Sequence, residues 1–346
     1  MAPLRTTKQI YLFFSISLLF GAFACHKTID LSNIHLNVKI ERFDKDFDDM
    51  ANKPFDKHSA YMKKKYGGFY NHFLGLILED NTINTKDTAY FKLLRQVFQG
   101  RPYKDLKHDV DSMYPDMNMQ EAGLTDAFKR IKYYFPKKTL PRVYAFFSGF
   151  YDQLAVGDDY VAIGLDLFLG KNSRFYPALT KAYPRYLSRN FNPESIAPKV
   201  VEGLAREDMF PESDSSKTLL SKMIYNGKIM YFMDQVLPTV PDTTKIGYTG
   251  EQLKWCELFQ SKIWAYFLEE NLLYESDFPK IQKYLGEAPF TPGLGDKNDS
   301  APKLGVWTGW QIVRQYMLKH PEISLEDLMK ETDPQKILND SKYRPK

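Results

Sequence analysis

Cysteine is nearly absent. The 346 residues contain two, Cys25 and Cys256, so a disulfide framework is excluded once Cys25 is otherwise engaged, and stability has to come from a packed core. Histidine is scarce and badly placed for chemistry. The six are His26, His35, His58, His72, His108 and His320, with none between Asp109 and Lys319. Zinc chemistry built on two histidines four apart on a helix is therefore missing from the bulk of the chain. A Ser-His-Asp arrangement would have to borrow a histidine from one end, and no G-x-S-x-G elbow accompanies it. Phosphate loops of the Walker or dinucleotide type are also missing; GLDLFLG at 164–170 is not one. No basic cluster tracks phosphates, and the net charge is only +4, which argues against nucleic acid as a partner. Neither an internal repeat nor a clear linker interrupts the text.

What is present begins with an export signal. Arg5 and Lys8 form a positive start, Ile10–Phe20 is an eleven-residue apolar run too short to span a bilayer permanently, and Ala22 and Ala24 lead into Cys25. Small residues directly before a cysteine resemble the lipobox of bacterial lipoproteins, in which the thiol takes a diacylglycerol and the signal is cut away. Several acyl chains at about 0.8 kcal/mol per buried methylene make such an anchor stable. Residues 1–24 are thus expected to be a signal peptide, 25–33 a lipidated cysteine and tether, and 34–346 one globular domain. Loss of Arg5 and Lys8 brings the mature chain to +2.

The domain reads around Thr218–Pro238. Leu219, Met223, Met230, Met233 and Leu237 form one helical stripe, with Leu220, Ile224 and Tyr231 beside it, so this helix is covered on more than one side. Asn226 and Gly227 interrupt it. A mid-helix glycine costs about 1 kcal/mol against alanine, so something packs closely there, or chemistry once did. Before it, Ile34–Glu41 alternates as a half-buried strand, Pro141–Phe147 is strand-like, and Gln153–Leu167 folds as a hairpin about Gly157-Asp158-Asp159. Helical text fills Phe43–Arg101, with a break at Gly67-Gly68 and a stop at Gly100-Arg101-Pro102, and again Asp105–Tyr134, where Met113, Met117 and Met119 read as gap-fillers. Pro198 suits a first helical position. Gly250–Tyr274 and Leu304–Leu318 are further helices, the latter with Gly305 and Gly309 four apart for close helix contact, and caps at Ser324 and Asp333 start two short ones. Pro289–Lys303, rich in Gly, Pro and Asp, reads as the most mobile loop. The fold class is α+β, mostly α: a small mixed sheet with long packed helices. The 15% aromatic content means a thick core or a sticky surface, which composition does not decide.

Carboxylates are the remaining candidates for chemistry: Asp158, Asp159, Asp166, Glu202, Glu207 and Asp234, of which a pair could serve in glycoside cleavage. Turn and solvated-face roles are the simpler reading of each. Cys256, between Trp255 and Glu257, reads as a buried small apolar residue rather than a nucleophile.

With Cys25, the segments VKIERFD at 38–44, VAIGLDLFLG at 161–170 and LLSKMIYNGK at 219–228 resemble the GldB family of gliding-motility lipoproteins of Bacteroidetes. KIGY at 245–248, GVWTGWQIV at 305–313 and SKYRP at 341–345 extend the likeness over nearly the whole mature chain. The resemblance implies a lipid-anchored cell-envelope protein required for gliding and tied to type IX secretion. It would be held by diacylglyceryl-Cys25 at the outer membrane facing the periplasm, without cofactor, metal or nucleic acid. It also implies a degenerate zincin-like scaffold. Val201 and Ala205 would stand where two metal-binding histidines stand, Glu202 between them, and Asn226-Gly227 where a Glu-Gly stands, leaving a pseudo-enzyme. Phe259-Gln260 departs from an expected Asn-Glu. The expectation is a non-catalytic protein acting through motility partners. The alternatives are a periplasmic hydrolase using Glu202 and other carboxylates, and a ligand-binding envelope lipoprotein.

Overall fold

The alternation of β-branched and aromatic side chains at 142–146 and 160–164 builds a sheet buried on both faces. In the computed structural model, which describes residues 29–49, 55–78, 96–295 and 299–346, that sheet separates two cores. Cys25 and the signal segment lie outside the described residues. The protein is mostly helical around this one mixed four-stranded sheet, as the composition of segments predicts.

The strands are β1 (Ile40–Arg42), β2 (Arg142–Phe146), β3 (Leu154–Val156) and β4 (Tyr160–Gly164), in the order β1-β2-β4-β3. β2 pairs in parallel with both β1 and β4, and β3 runs antiparallel to β4 through the hairpin. Val143, Ala145, Val161 and Ile163 face the larger core, whereas Tyr144, Phe146, Tyr160 and Ala162 face the smaller one. The expected strand at 34–41 pairs over Ile40–Arg42 only. Its alternation of burial holds, but the backbone N–H groups of Val38 and Ile40 donate to Thr125 Oγ1 (2.9 Å) and Glu121 Oε1 (3.0 Å), so helix side chains replace a neighbouring strand.

The smaller core explains the aromatic excess. Helices α1 (Phe43–Asp48), α2 (Phe55–Tyr66) and α3 (Gly68–Leu78) cover that face of the sheet. Gly67, at φ +55°, ends α2 before α3 begins. Phe43 meets Phe69 edge-on at 4.9 Å between centroids and Phe73 at 4.6 Å, and Phe69 meets Tyr144 of the sheet at 5.3 Å. Such tilted and edge-to-face pairs add to the area they bury.

Two helices, α4 (Arg101–Met113) and α5 (Asn118–Tyr134), lead into β2. The segment Gly100-Arg101-Pro102 thus opens a helix as well as closing one, with Pro102 in the first turn, where its missing N–H costs nothing. Met117 is buried and fills the core as expected, whereas Met113 and Met119 are exposed and fill no gap. After β4 come α6 (Ile196–Leu204), continued by one wide π turn over Ala205–Met209, then α7 (Leu219–Val236), α8 (Gly250–Glu269), α9 (Leu304–Lys319) and α10 (Pro334–Ser341). Pro198 is the third residue of α6 rather than the first; N–H groups of the whole first turn lack partners within the helix, so proline is tolerated there too.

α7 is the central element, buried along its length and packed chiefly on α9. Gly227 and Gly309 make that crossing close. A Cβ on Gly227 would stand 2.3 Å from Gly309 O, and one on Gly309 would stand 1.8 Å from Met223 O, so the two backbones touch. This is the close packing that the interrupted stripe of α7 calls for. The loop expected to be most mobile is tied at its base: Thr291 N donates to Ser300 Oγ, and Thr291 Oγ1 donates to Ala301 O at 2.8 Å, all three residues being buried. Among the described residues no helix is long and apolar enough to cross a membrane.

Candidate functional site

α6 is apolar on one side only. Val200, Val201, Leu204 and Ala205 are buried in the larger core, while Lys199, Glu202 and Arg206 stand on the opposite stripe at i, i+3 and i+7. That stripe forms one wall of a cavity of about 400 Å³. The other walls are Asn226 and Met230 of α7, the short helix Asp242–Ile246, residues 285–287, and Lys303 and Val306 at the start of α9.

The stripe is cross-linked. Glu202 accepts from Lys199 Nζ at 3.1 Å and from Arg206 Nε at 3.0 Å, and Arg206 Nη2 donates to Asn226 Oδ1 at 3.0 Å. Asn226 Nδ2 donates to Lys222 O of its own helix at 2.8 Å, so the mid-helix amide is satisfied at both ends. Burial works to raise the Glu202 carboxyl, but the charges of Lys199, Arg206 and Lys303 outweigh it and hold the group far below the usual carboxylate range. Lys303 donates to Ile246 O at 2.6 Å and pairs with Glu287.

A group held ionised this way stabilises the fold only while its unfolded counterpart is also ionised. The contribution of Glu202 is therefore full above the ordinary glutamate range, near pH 4.3, and is lost as the pH falls below it toward the lower folded value. Glu202→Gln is expected to melt lower than the wild type at neutral pH, with the gap narrowing as acid is added from about pH 5 toward about pH 2. Melting curves across that series check it; a gap that widens in acid would reverse the sign.

The positions set by the zincin likeness do not converge. Glu202 and Asn226 meet at the cavity, bridged by Arg206. Val201 and Ala205 point into the core on the far side of α6, because the apolar stripe of that helix is what the core requires, and Gly227 is used up by the contact with Gly309. Among the described residues no three His, Cys, Asp or Glu side chains are grouped to hold a metal ion.

The other carboxylates have separate places. Asp158 and Asp159 are exposed in the hairpin turn, and Glu207 is exposed on the π turn. Asp166 is fully buried and accepts from Ser148 N (2.8 Å), Ser148 Oγ (3.0 Å) and Phe150 N (2.5 Å), holding a loop in which Gly149 and Phe150 both have positive φ; burial raises its carboxyl despite these donors. Asp234 accepts from Lys245 Nζ (2.8 Å), Trp310 Nε1 (2.8 Å) and Arg314 Nε (2.7 Å), and Arg314 also grips Asp242. Burial pushes the Cys256 thiol well up, so it stays protonated inside α8.

The family described as gliding motility protein GldB matches residues 24–345, nearly the whole chain and every element just described. The chain belongs to the GldB family. Within this GldB-family fold, the match begins one residue before Cys25, so that cysteine and the cavity helices fall within the one match. No curated protein and no solved structure matches the chain, and the zincin likeness is left without support. Sequence reasoning singled out Glu202 and Asn226 but missed Lys199, Arg206 and Lys303. The available signal was a K-x-x-E-x-x-x-R stripe, with the Glu-Arg pair four apart, on the polar side of a helix otherwise buried.

Proposed function

We propose that this protein is a lipid-anchored component of the cell envelope that serves gliding motility through protein partners of the motility and type IX secretion machinery, without catalysing a reaction. The observation that carries the reading is the GldB family match over 24–345, with Cys25 at its start behind Ala22 and Ala24. Diacylglyceryl-Cys25 would tether the domain to the outer membrane, facing the periplasm. The short residues 26–33 would keep it close to that surface. Two further facts favour partner binding over hydrolysis. Asp166 and Asp234 are each saturated by donors that hold neighbouring segments, and Glu202 is ionised between two cations, which suits it poorly to proton transfer.

A deletion strain is expected to lose surface spreading. Re-expression of the wild-type chain restores it, whereas a Cys25→Ala variant, exported but not acylated, leaves the membrane fraction and restores little. Normal spreading of the deletion strain would defeat the motility role, and full membrane retention of Cys25→Ala would defeat the anchor.

A further inference from the structure

The cavity beside α6 is unusual in what surrounds it. Among the side chains that line it, Lys199, Arg206 and Lys303 stand against Glu202 and Glu287, a surplus of one positive charge. Lys245 also lines the cavity, but it is neutralised within the Asp234, Asp242 and Arg314 group. Lys199 spends one of its three donors on Glu202. The first turn of α9 begins at this wall, with Lys303 as its cap and Val306 in the lining, and its leading N–H groups have no carbonyl ahead of them in the helix. Met230, Ile246, Leu285 and Val306 complete the lining with apolar side chains. A space of about 400 Å³ lies within the range of small-molecule sites.

We propose that this cavity binds a small organic monoanion, a carboxylate carrying an apolar body of a few carbons, with the carboxylate toward Lys199, Arg206 and the start of α9 and the body against Met230, Ile246, Leu285 and Val306. The charge count selects the class. A monoanion neutralises the surplus, a dianion such as phosphate overshoots it between two glutamates, and a cation adds to it. The apolar wall selects a body longer than acetate. The site is independent of the motility reading.

The test is calorimetric titration of the full mature chain in detergent with hexanoate, acetate, inorganic phosphate and hexylammonium, each blanked against detergent alone. Hexanoate is expected to bind saturably and roughly tenfold or more tighter than acetate, since each buried methylene contributes. Lys199→Met is expected to weaken hexanoate by at least about tenfold. Thr244→Trp, which leaves every charge in place and fills the space from the short helix at 242–246, is expected to abolish binding; it decides the matter if the lysine variant folds poorly. Absence of saturable hexanoate binding, tighter binding of phosphate or hexylammonium, or unchanged affinity in Thr244→Trp would each overturn the proposal.

Discussion

A single added methyl group at position 309 is expected to lower the melting temperature by roughly 4 to 6 °C. Alanine is the better helix former, by about 1 kcal/mol over glycine, so local propensity predicts the opposite sign for Gly309→Ala. The crossing of α7 and α9 decides against it. The new Cβ would stand 1.8 Å from Met223 O and 2.5 Å from Met223 C, both backbone atoms of the central helix, so no side chain can swing away to make room. The helices would have to separate, and among the described elements no other pair packs so extensively; α9 also carries the buried Trp307 and Trp310. Overpacking of this kind typically costs about 1–3 kcal/mol, and a rigid neighbour on the other side places Gly309→Ala at or above the upper end. Gly250→Ala is the matched control. It also lies in a long helix, but its Cβ meets nothing within 4 Å, and its melting temperature is expected to stay level or rise slightly. A Gly309→Ala protein that melts within about 1 °C of the wild type would refute the close-crossing account.

Removal of the Asp234 carboxylate should be as damaging for an electrostatic reason. Its oxygens accept from Lys245, Trp310 and both Nε and Nη2 of Arg314, while the Lys245 side chain is only 4% exposed and, among the described residues, pairs otherwise with Asp242, at 3.6 Å. The Arg314 guanidinium also lies 3.8 Å from the Trp310 ring centroid. Asp234→Ala strands one ammonium almost wholly out of water, and breaking a buried pair from one side costs about 3–5 kcal/mol. Urea unfolding reads this as a lower midpoint. The double variant Asp234→Ala, Lys245→Met removes the stranded charge as well and is expected to recover part of the loss, because the two residues are in direct contact. A loss below about 1 kcal/mol in the single variant, or no recovery in the double, would show that the group is not the tie between α7, α9 and the helix at 242–246 described here.

Much of this architecture could be read from the residues because period and punctuation agree. The stripes of α7, the Gly67-Gly68 break, the turn at 157–159 and the caps at Ser324 and Asp333 each rest on local chemistry that tertiary packing leaves intact. The strand at 34–41 shows where such reading ends. Alternation reports which side chains are buried, not which group receives the backbone hydrogen bonds, and here Thr125 and Glu121 receive them from more than eighty positions away. The Thr249–Gln252 capping box that starts α8 was also overlooked, although its two residues lie in plain sequence. The cavity was legible only in part. Glu202 and Asn226 drew notice, the first as a carboxylate and the second as a polar residue on an apolar stripe. Lys199, Arg206 and Lys303 looked like ordinary solvated charge, and only folding brings the last of these from the far end of the chain to the other two.

The way β1 enters the fold has a mechanical consequence. The described chain, from residue 29, joins the sheet at an edge, through a strand that ladders for three residues beside β2 and is held further back by Thr125 and Glu121. Arg42, at the end of that strand, grips Asp44 and the carbonyl of Tyr114. A force drawn between the N-terminal side of β1 and the body of the protein would run along β1 and across its hydrogen bonds. The bonds then carry the load together in shear rather than peeling one at a time. On the proposed tether at Cys25, the short edge strand and the two helix side chains that hold it are the coupling through which tension would pass.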